Sequence, residues 1–443
     1  MKRFFETLTN IFKIEELRQR ILITLGFLAV YRIGSFIVLP GVDPEILESI
    51  NGEAQGLASM INQFAGGAFS RASIFALGIM PYISASIVMQ LLGMAVPTIQ
   101  KMQREGESGR KKINQYTRYL TILITAGQAP GYLAATVPTE AVANPGFLSF
   151  TLPSIIILTT GTLFVMWMGE KITDKGIGNG ISLLIMIGII AGLPSALLFE
   201  IDSQLGETGG GLVIVLLELA ILLVVILASV LLVQGVRRVP VQFAKKMVGN
   251  QTGATSRSYI PLKVNASGVM PIIFAQALMF IPMTLTSISD SEALTSFATL
   301  FSDISGFWYN FIFAMMIILF TYFYTAITVN PKQMADDLKK NGGFVPGVRP
   351  GQDTSDFLDT ILSRITLPGA LFLALLAILP AFAMKVGVSQ NFSYFYGGTS
   401  LLIMVGVVLD TLQQIESYLL MRHYDGLMKS GKLKGRASTL GMA

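Results

Sequence analysis

Lysine and arginine in this chain sit almost entirely between apolar runs, and they are concentrated in every second gap. The segments 1–20, 97–118, 169–180, 234–265, 330–364 and 421–443 hold 29 of the 32 Lys and Arg residues. The remaining gaps hold only Arg71 and Lys385, and Arg32 stands inside an apolar run. Basic loops are retained on the cytoplasmic side of a bilayer. The alternation therefore predicts the number and direction of crossings, with both termini cytoplasmic. With 52% hydrophobic and only 13% charged residues, the chain has too little polar surface to coat 443 residues in water.

A helix needs about 20 apolar residues to cross a hydrocarbon core about 30 Å thick. Ten segments qualify: 21–39, 72–96, 119–135, 150–168, 181–199, 212–232, 268–287, 308–329, 365–380 and 399–420. The expected fold is an all-α membrane protein. Residues 1–20 form a cytoplasmic N-terminal segment, 21–199 and 212–420 two five-helix halves, and 421–443 a cytoplasmic tail. An odd number of crossings per half inverts the second half relative to the first, as in many transport proteins whose pathway lies between the halves. The Gly- and acid-rich stretch 200–211 is the expected external hinge. Residues 57–70 (LASMINQFAGGAFS) are apolar but too short to cross. They read either as an external amphipathic helix or as a re-entrant stopper.

The catalytic inventory is nearly empty. There is no Cys, and the single His, His423, lies in the tail, which removes thiol and redox chemistry. Charges in or beside the spans are Arg32, Glu218, Asp410 and Glu416, and none is spaced as a dyad. Intramembrane proteolysis is disfavoured accordingly, and ion-coupled carriage of a small solute loses weight because it needs charge at mid-membrane. Arg32 is expected to bond backbone carbonyls or snorkel, and Glu218 to pack inside the bundle or stay wet near the external face. The run Gly176–Gly180 (GIGNG) follows a span rather than a strand and lacks dinucleotide spacing, so it reads as a tight cytoplasmic turn. No metal or cofactor site is expected.

Two cytoplasmic loops are longer than adjacent helices require. Loop 234–265 carries Arg237, Arg238, Lys245, Lys246, Arg257 and Lys263 with no acid, and loop 330–364 contains the turn-rich run Gly347–Gly351 (GVRPG). Basic loops of this length suit acidic or phosphate-rich partners.

The stretches YRIGSFIVLPGVD (31–43), FSRASIFALGIMPYISAS (69–86), EGESGRKKINQYTR (105–118), GIGNGIS (176–182), PLKVNASG (261–268), NGGFVPGVRPG (341–351) and YGGTSLLI (396–403) run in order along nearly the whole chain. On these the chain resembles the SecY family, central subunits of the bacterial protein-conducting channel. The resemblance implies a clamshell of ten helices in two inverted halves, not an enzyme, in the bacterial cytoplasmic membrane. It implies an apolar pore ring of Ile79, Ile83, Ile181, Ile185, Ile273 and Ile403. It places a plug at 57–70, including Met60, Ile61, Phe64, Gly66 and Gly67. The second and seventh spans would form a lateral gate, with Ser84, Gln128 and Asn265 as its polar contacts. Arg349, with Arg237, Arg238, Lys245, Lys246 and Arg257, would dock cytoplasmic partners. The implied partners are a SecE-like clamp subunit, a SecG-like small subunit, the SecA motor ATPase, the ribosome, signal sequences and nascent polypeptides, and the lipid bilayer. No GxxxxGK[ST] run is present, so a partner or the membrane potential must supply the energy. A secondary transporter of a small solute is the alternative.

Overall fold

A computed structural model describes residues 14–50, 62–206, 211–243, 257–286 and 306–429. Helices stand at all ten expected spans: α1 Glu15–Gly34, α3 Met80–Ala95, α5 Glu107–Thr136, α6 Leu152–Lys175, α7 Gly180–Leu205, α8 Gly211–Gln234, α9 Met270–Thr286, α10 Phe307–Thr328, α12 Gln352–Val386 and α14 Gly398–Lys429. Shorter helices are α2 Pro44–Ile50, α4 Pro97–Arg104, α11 Pro331–Lys340 and α13 Gln390–Ser393. Among the described residues, six helices are long and apolar enough to cross a bilayer. A seventh is added if Met80–Gly93 and Pro97–Gln103, bent by 103°, count as one span. The others are too short or too polar along the described length to qualify by themselves.

The chain forms two compact units. In described residues, the first comprises 14–50, 62–191 and 407–429, and the second 192–206, 211–243, 257–286 and 306–406. Their boundaries do not coincide with the expected hinge at 200–211, and specific contacts explain why. Glu200 and Gln204, at the end of α7, bond within the second unit to Ser389, Gly387 and Glu218. At the other end of the chain, Gln414 accepts a hydrogen bond from the Gly178 N–H at 2.9 Å, and Tyr418 lies under the Arg20 guanidinium at 5.2 Å. Those contacts tie the last turns of α14 to the first unit.

In the first unit the chain leaving α1 does not enter α2 directly. It pairs with the segment ahead of α3: Leu39 N–H donates to the Ala72 carbonyl and Ile74 N–H to the Ile37 carbonyl, each at 2.9 Å. Leu39, Val42, Ala72, Ala76, Leu77, Tyr132, Leu133 and Leu158 close a core over this pairing. Along α5, Thr117, Thr121 and Thr125 are buried, and each hydroxyl donates to the carbonyl four residues earlier. A helix that satisfies its own hydroxyls can pack closely without leaving a polar group exposed to hydrocarbon.

In the second unit α10 packs on α9 and α12. Loop 234–265, expected as loop, instead holds β1 Val236–Phe243 and β2 Arg257–Lys263, joined by β3 Gly343–Phe344 in a sheet of order β2-β1-β3. The sheet adds to the all-helical expectation and has a legible cause. Val239 and Val241 alternate inward onto Leu358 and Leu362 of α12, while Arg238 and Pro240 face out. Pro240 lacks an N–H, yet the central strand tolerates it. β3 pairs only with Gln242 and Phe243, which leaves Pro240 on an edge.

Candidate functional site

The candidate site is built around the turn at 62–71 in the first unit. Gly67 N–H donates to the Asn62 carbonyl at 2.9 Å and Ser70 N–H to the Asn62 side chain at 3.0 Å. The turn this closes requires φ of +63° at Gly66 and +85° at Gly67, values that favour glycine. It leaves the Gly66 carbonyl pointing outward, where two arginines meet it. Arg32 Nη1 donates to this oxygen at 2.7 Å and Arg71 Nη2 at 2.9 Å, while Arg71 Nε holds the Gly67 carbonyl at 3.0 Å. Both guanidinium groups also lie over the Phe36 ring, at 4.9 and 4.2 Å. Arg32 thus bonds a backbone carbonyl, one of its two expected roles.

The other side of the turn rests on α7 at Gly188. A Cβ built on Gly66 would stand 3.1 Å from the Gly188 Cα, and one built on Gly188 would run into the Phe64 carbonyl. This contact needs hydrogen at both positions. Phe64 itself is buried. Tyr132 donates its hydroxyl to the Phe69 carbonyl at 2.7 Å and meets the Phe69 ring edge-on, anchoring the turn's exit to α5. Of the expected plug residues, Phe64, Gly66 and Gly67 belong to this turn. Met60 and Ile61 lie outside the described residues.

Of the six ring candidates, four belong to the first unit. Ile79 precedes α3, whose first turn carries Pro81, and both Ile79 and Ile83 are buried. Ile185 on α7 is buried and Ile181 half-buried. In the second unit Ile403 on α14 is buried and Ile273 on α9 half-buried. Of the gate candidates, Ser84 donates to the Met80 carbonyl one helical turn back at 3.2 Å, and Gln128 on α5 is exposed. Asn265 is buried and accepts from the Ser267 hydroxyl at 3.2 Å.

The glycine run 176–180 is a packed joint rather than a phosphate cradle. Thr24 Oγ1 accepts from Ile177 N–H at 3.1 Å, and Thr173 Oγ1 from Gly180 N–H at 2.9 Å. Together with the Gln414 contact, these engage the N–H groups of Ile177, Gly178 and Gly180 with side chains of this chain.

Among the docking candidates, Arg237 and Arg238 are exposed on β1, and Arg349 is exposed in the turn between β3 and α12. That turn is held by the Thr354 hydroxyl, which donates to the Arg349 carbonyl at 2.7 Å, and by Val345, buried in the sheet core. Lys245 and Lys246 lie outside the described residues, as does the side chain of Arg257.

Two features escaped sequence reading. Gly188 is one of several glycines in an apolar helix, and no local signal distinguishes it. Glu200, expected in the hinge, is instead fully buried in α7 and shares the Gln204 side-chain amide with Glu218, at 3.0 and 3.4 Å respectively.

A family model described as SecY matches residues 73–412. The "Protein translocase subunit SecY" of Chlamydia muridarum (strain MoPn / Nigg) is 42% identical over 457 aligned positions, covering 97% of this chain and 99% of that protein. Its counterpart in Streptomyces scabiei is 42% identical, covering 94% and 98%. That of Mycobacterium tuberculosis (strain ATCC 25618 / H37Rv) is 43% identical, covering 94% and 97%. Among solved structures, "The structure of a protein conducting channel" aligns with a TM-score of 0.64 at 18% identity, covering 90% of this chain and 92% of that one. "Sec61 in the Canine ribosome-channel complex from the endoplasmic reticulum" aligns at 0.59, with the same identity and coverage. At that identity the likeness is one of fold.

Proposed function

The chain belongs to the SecY family, and from that premise we propose how this multi-pass, protein-conducting channel works. Unfolded secretory polypeptides pass through it, and apolar helices leave it sideways into lipid. It is a passive pore and not an enzyme, driven by a motor ATPase or a ribosome on the side of the basic loops. A SecE-like clamp, a SecG-like small subunit and a SecA motor complete the machine. Its place is the bacterial cytoplasmic membrane with both termini inside, supported by the charge alternation and by the bacterial relatives.

The observation that carries the reading is the turn at 62–67, held by Arg32 and Arg71 and seated on Gly188. It is a plug with a release mechanism. Hydrogen bonds to a charged donor contribute about 1.5–3 kcal/mol each, which is enough to keep a resting channel shut and little enough for an arriving polypeptide to overcome. On the family resemblance, Ile79, Ile83, Ile181, Ile185, Ile273 and Ile403 are assigned to the pore ring, and Ser84, Gln128 and Asn265 to the lateral gate. Branched aliphatic side chains exclude hydrated ions while giving a passing chain no polar partner to cling to. The decisive experiment is protected passage of an unfolded precursor into vesicles holding this protein, its small subunits and the motor with ATP. Passage supports the channel. Its absence, with insertion and partners verified, would overturn it.

The ring carries its own prediction. Vesicles bearing Ile83→Ser together with Ile403→Ser should conduct ions at rest, while the unsubstituted protein stays tight; tight vesicles in both cases would remove these residues from the ring. Secondary transport of a small solute is not favoured. Arg32, the one cation inside an expected span, is engaged with the Gly66 carbonyl, and the family model that matches is that of a protein-conducting channel subunit.

A further inference from the structure

At the end of the second unit away from its sheet, two carboxyl groups meet. Glu200 on α7 is fully buried and Glu218 on α8 is 5% exposed. The Gln204 amide donates to one oxygen of each, at 3.0 and 3.4 Å, and also reaches the Gly387 carbonyl. The shared amide nitrogen places the two carboxyl groups side by side. Glu200 Oε2 accepts from the Ser389 N–H at 3.0 Å and from the Ser389 hydroxyl.

Ionised carboxylates are acceptors only, and two of them sealed together repel. Every protein donor named above is an N–H or a serine hydroxyl, and none is a cation. Glu218 Oε2 is buried and meets no donor among the described residues. A second orphan lies near it. The Tyr396 hydroxyl, in the segment between α13 and α14, is buried and has no hydrogen-bond partner among the described residues. Burial first, then the charges of Glu218 and Glu200, raise its ionisation above the usual tyrosine range. It therefore stays a neutral donor and cannot neutralise the pair. On the other packed elements, Tyr309 of α10 is also a buried phenol, and Asp202 of α7 and Lys385 of α12 are exposed.

We propose that Glu200 and Glu218 form a proton-binding site, in which one proton held between the two carboxyls locks the end of α7 to α8 and to the segment 387–389. The proton supplies the donor that Glu218 lacks and removes one of the two buried charges. Its loss would leave two carboxylates competing for one amide, and would loosen the Ser389 and Gly387 contacts that close this end of the unit. The lock thus depends on that proton and weakens once the pH is high enough to remove it.

The test uses the full-length chain in lipid nanodiscs. Infrared spectroscopy should find a protonated-carboxyl C=O band at neutral pH that disappears in both Glu218→Gln and Glu200→Gln. In either variant a permanent amide donor replaces the proton and the remaining acid ionises, so each should still fold. The melting temperature of the unsubstituted protein should fall as pH is raised from mildly acidic to mildly alkaline, and that dependence should flatten in Glu218→Gln. A band absent from the unsubstituted protein, or unchanged in both variants, would overturn the proposal. So would a melting profile that responds to sodium or potassium instead of pH, which would identify a metal cation in the proton's place.

Discussion

Gly188→Ala should turn a tight resting membrane into a leaky one. The added methyl group has no room: it runs into the Phe64 carbonyl, with the Phe64 carbon at 3.2 Å and the Gly66 nitrogen at 3.3 Å. All of these atoms are backbone, so no side-chain rotation relieves the clash. Overpacking of this kind costs about 1–3 kcal/mol, and all of it falls on the seated position of the turn. The ratio of seated to released plug should drop by about 5- to 150-fold for a two-state plug. Ion flux through vesicles without motor or precursor measures this directly. Gly26→Ala on α1, where nothing lies within 4 Å of the new methyl group, is the control and should stay tight. Equal tightness in the two variants would remove Gly188 as the seat of the plug.

Arg349→Glu should abolish export while the chain remains folded in the membrane. The side chain is exposed, so the substitution opens no cavity, and the backbone beneath it is fixed by Thr354 and by the sheet core under Val345. The effect should therefore fall on partner binding. A charge reversal in a docking contact replaces attraction with repulsion, and like charges across an interface cost several kcal/mol. Arg349→Lys should retain only part of the activity, because an ammonium cannot reproduce the planar two-point contact of a guanidinium with a carboxylate or phosphate. Motor ATPase stimulation and precursor protection, compared at low and high salt, would follow the loss. Export unchanged by Arg349→Glu would end the assignment of this turn to docking.

Much of this protein is legible without coordinates, for physical reasons that differ by element. Six of the described helices follow from apolar length alone, since a backbone in hydrocarbon must satisfy its own hydrogen bonds. The glycine run 176–180 could be read as a turn because its context excludes a phosphate site, whereas Arg32 could be narrowed only to bonding backbone carbonyls or snorkelling, because a lone cation among apolar residues needs either an acceptor or water. The strands in loop 234–265 were missed although Val239 and Val241 alternate with Arg238 and Pro240. Two prolines and a run of basic residues mask a period of two, and the partner that makes the pattern pay off, α12, enters the chain only at Gln352.

The sequence by itself determined which segments are apolar and which gaps between them hold the positive charge, and its ordered motifs carry the resemblance to the SecY family. The first two follow from composition and from order along the chain. Only the tertiary structure decided which carbonyl Arg32 holds, 34 residues away at Gly66, which glycine of α7 receives the turn, and that Glu200 meets Glu218. Each is a contact between segments whose separation along the chain says nothing about their distance in space. Close packing of backbone on backbone selects the partner, and a pattern read along one element carries no information about the element it will touch.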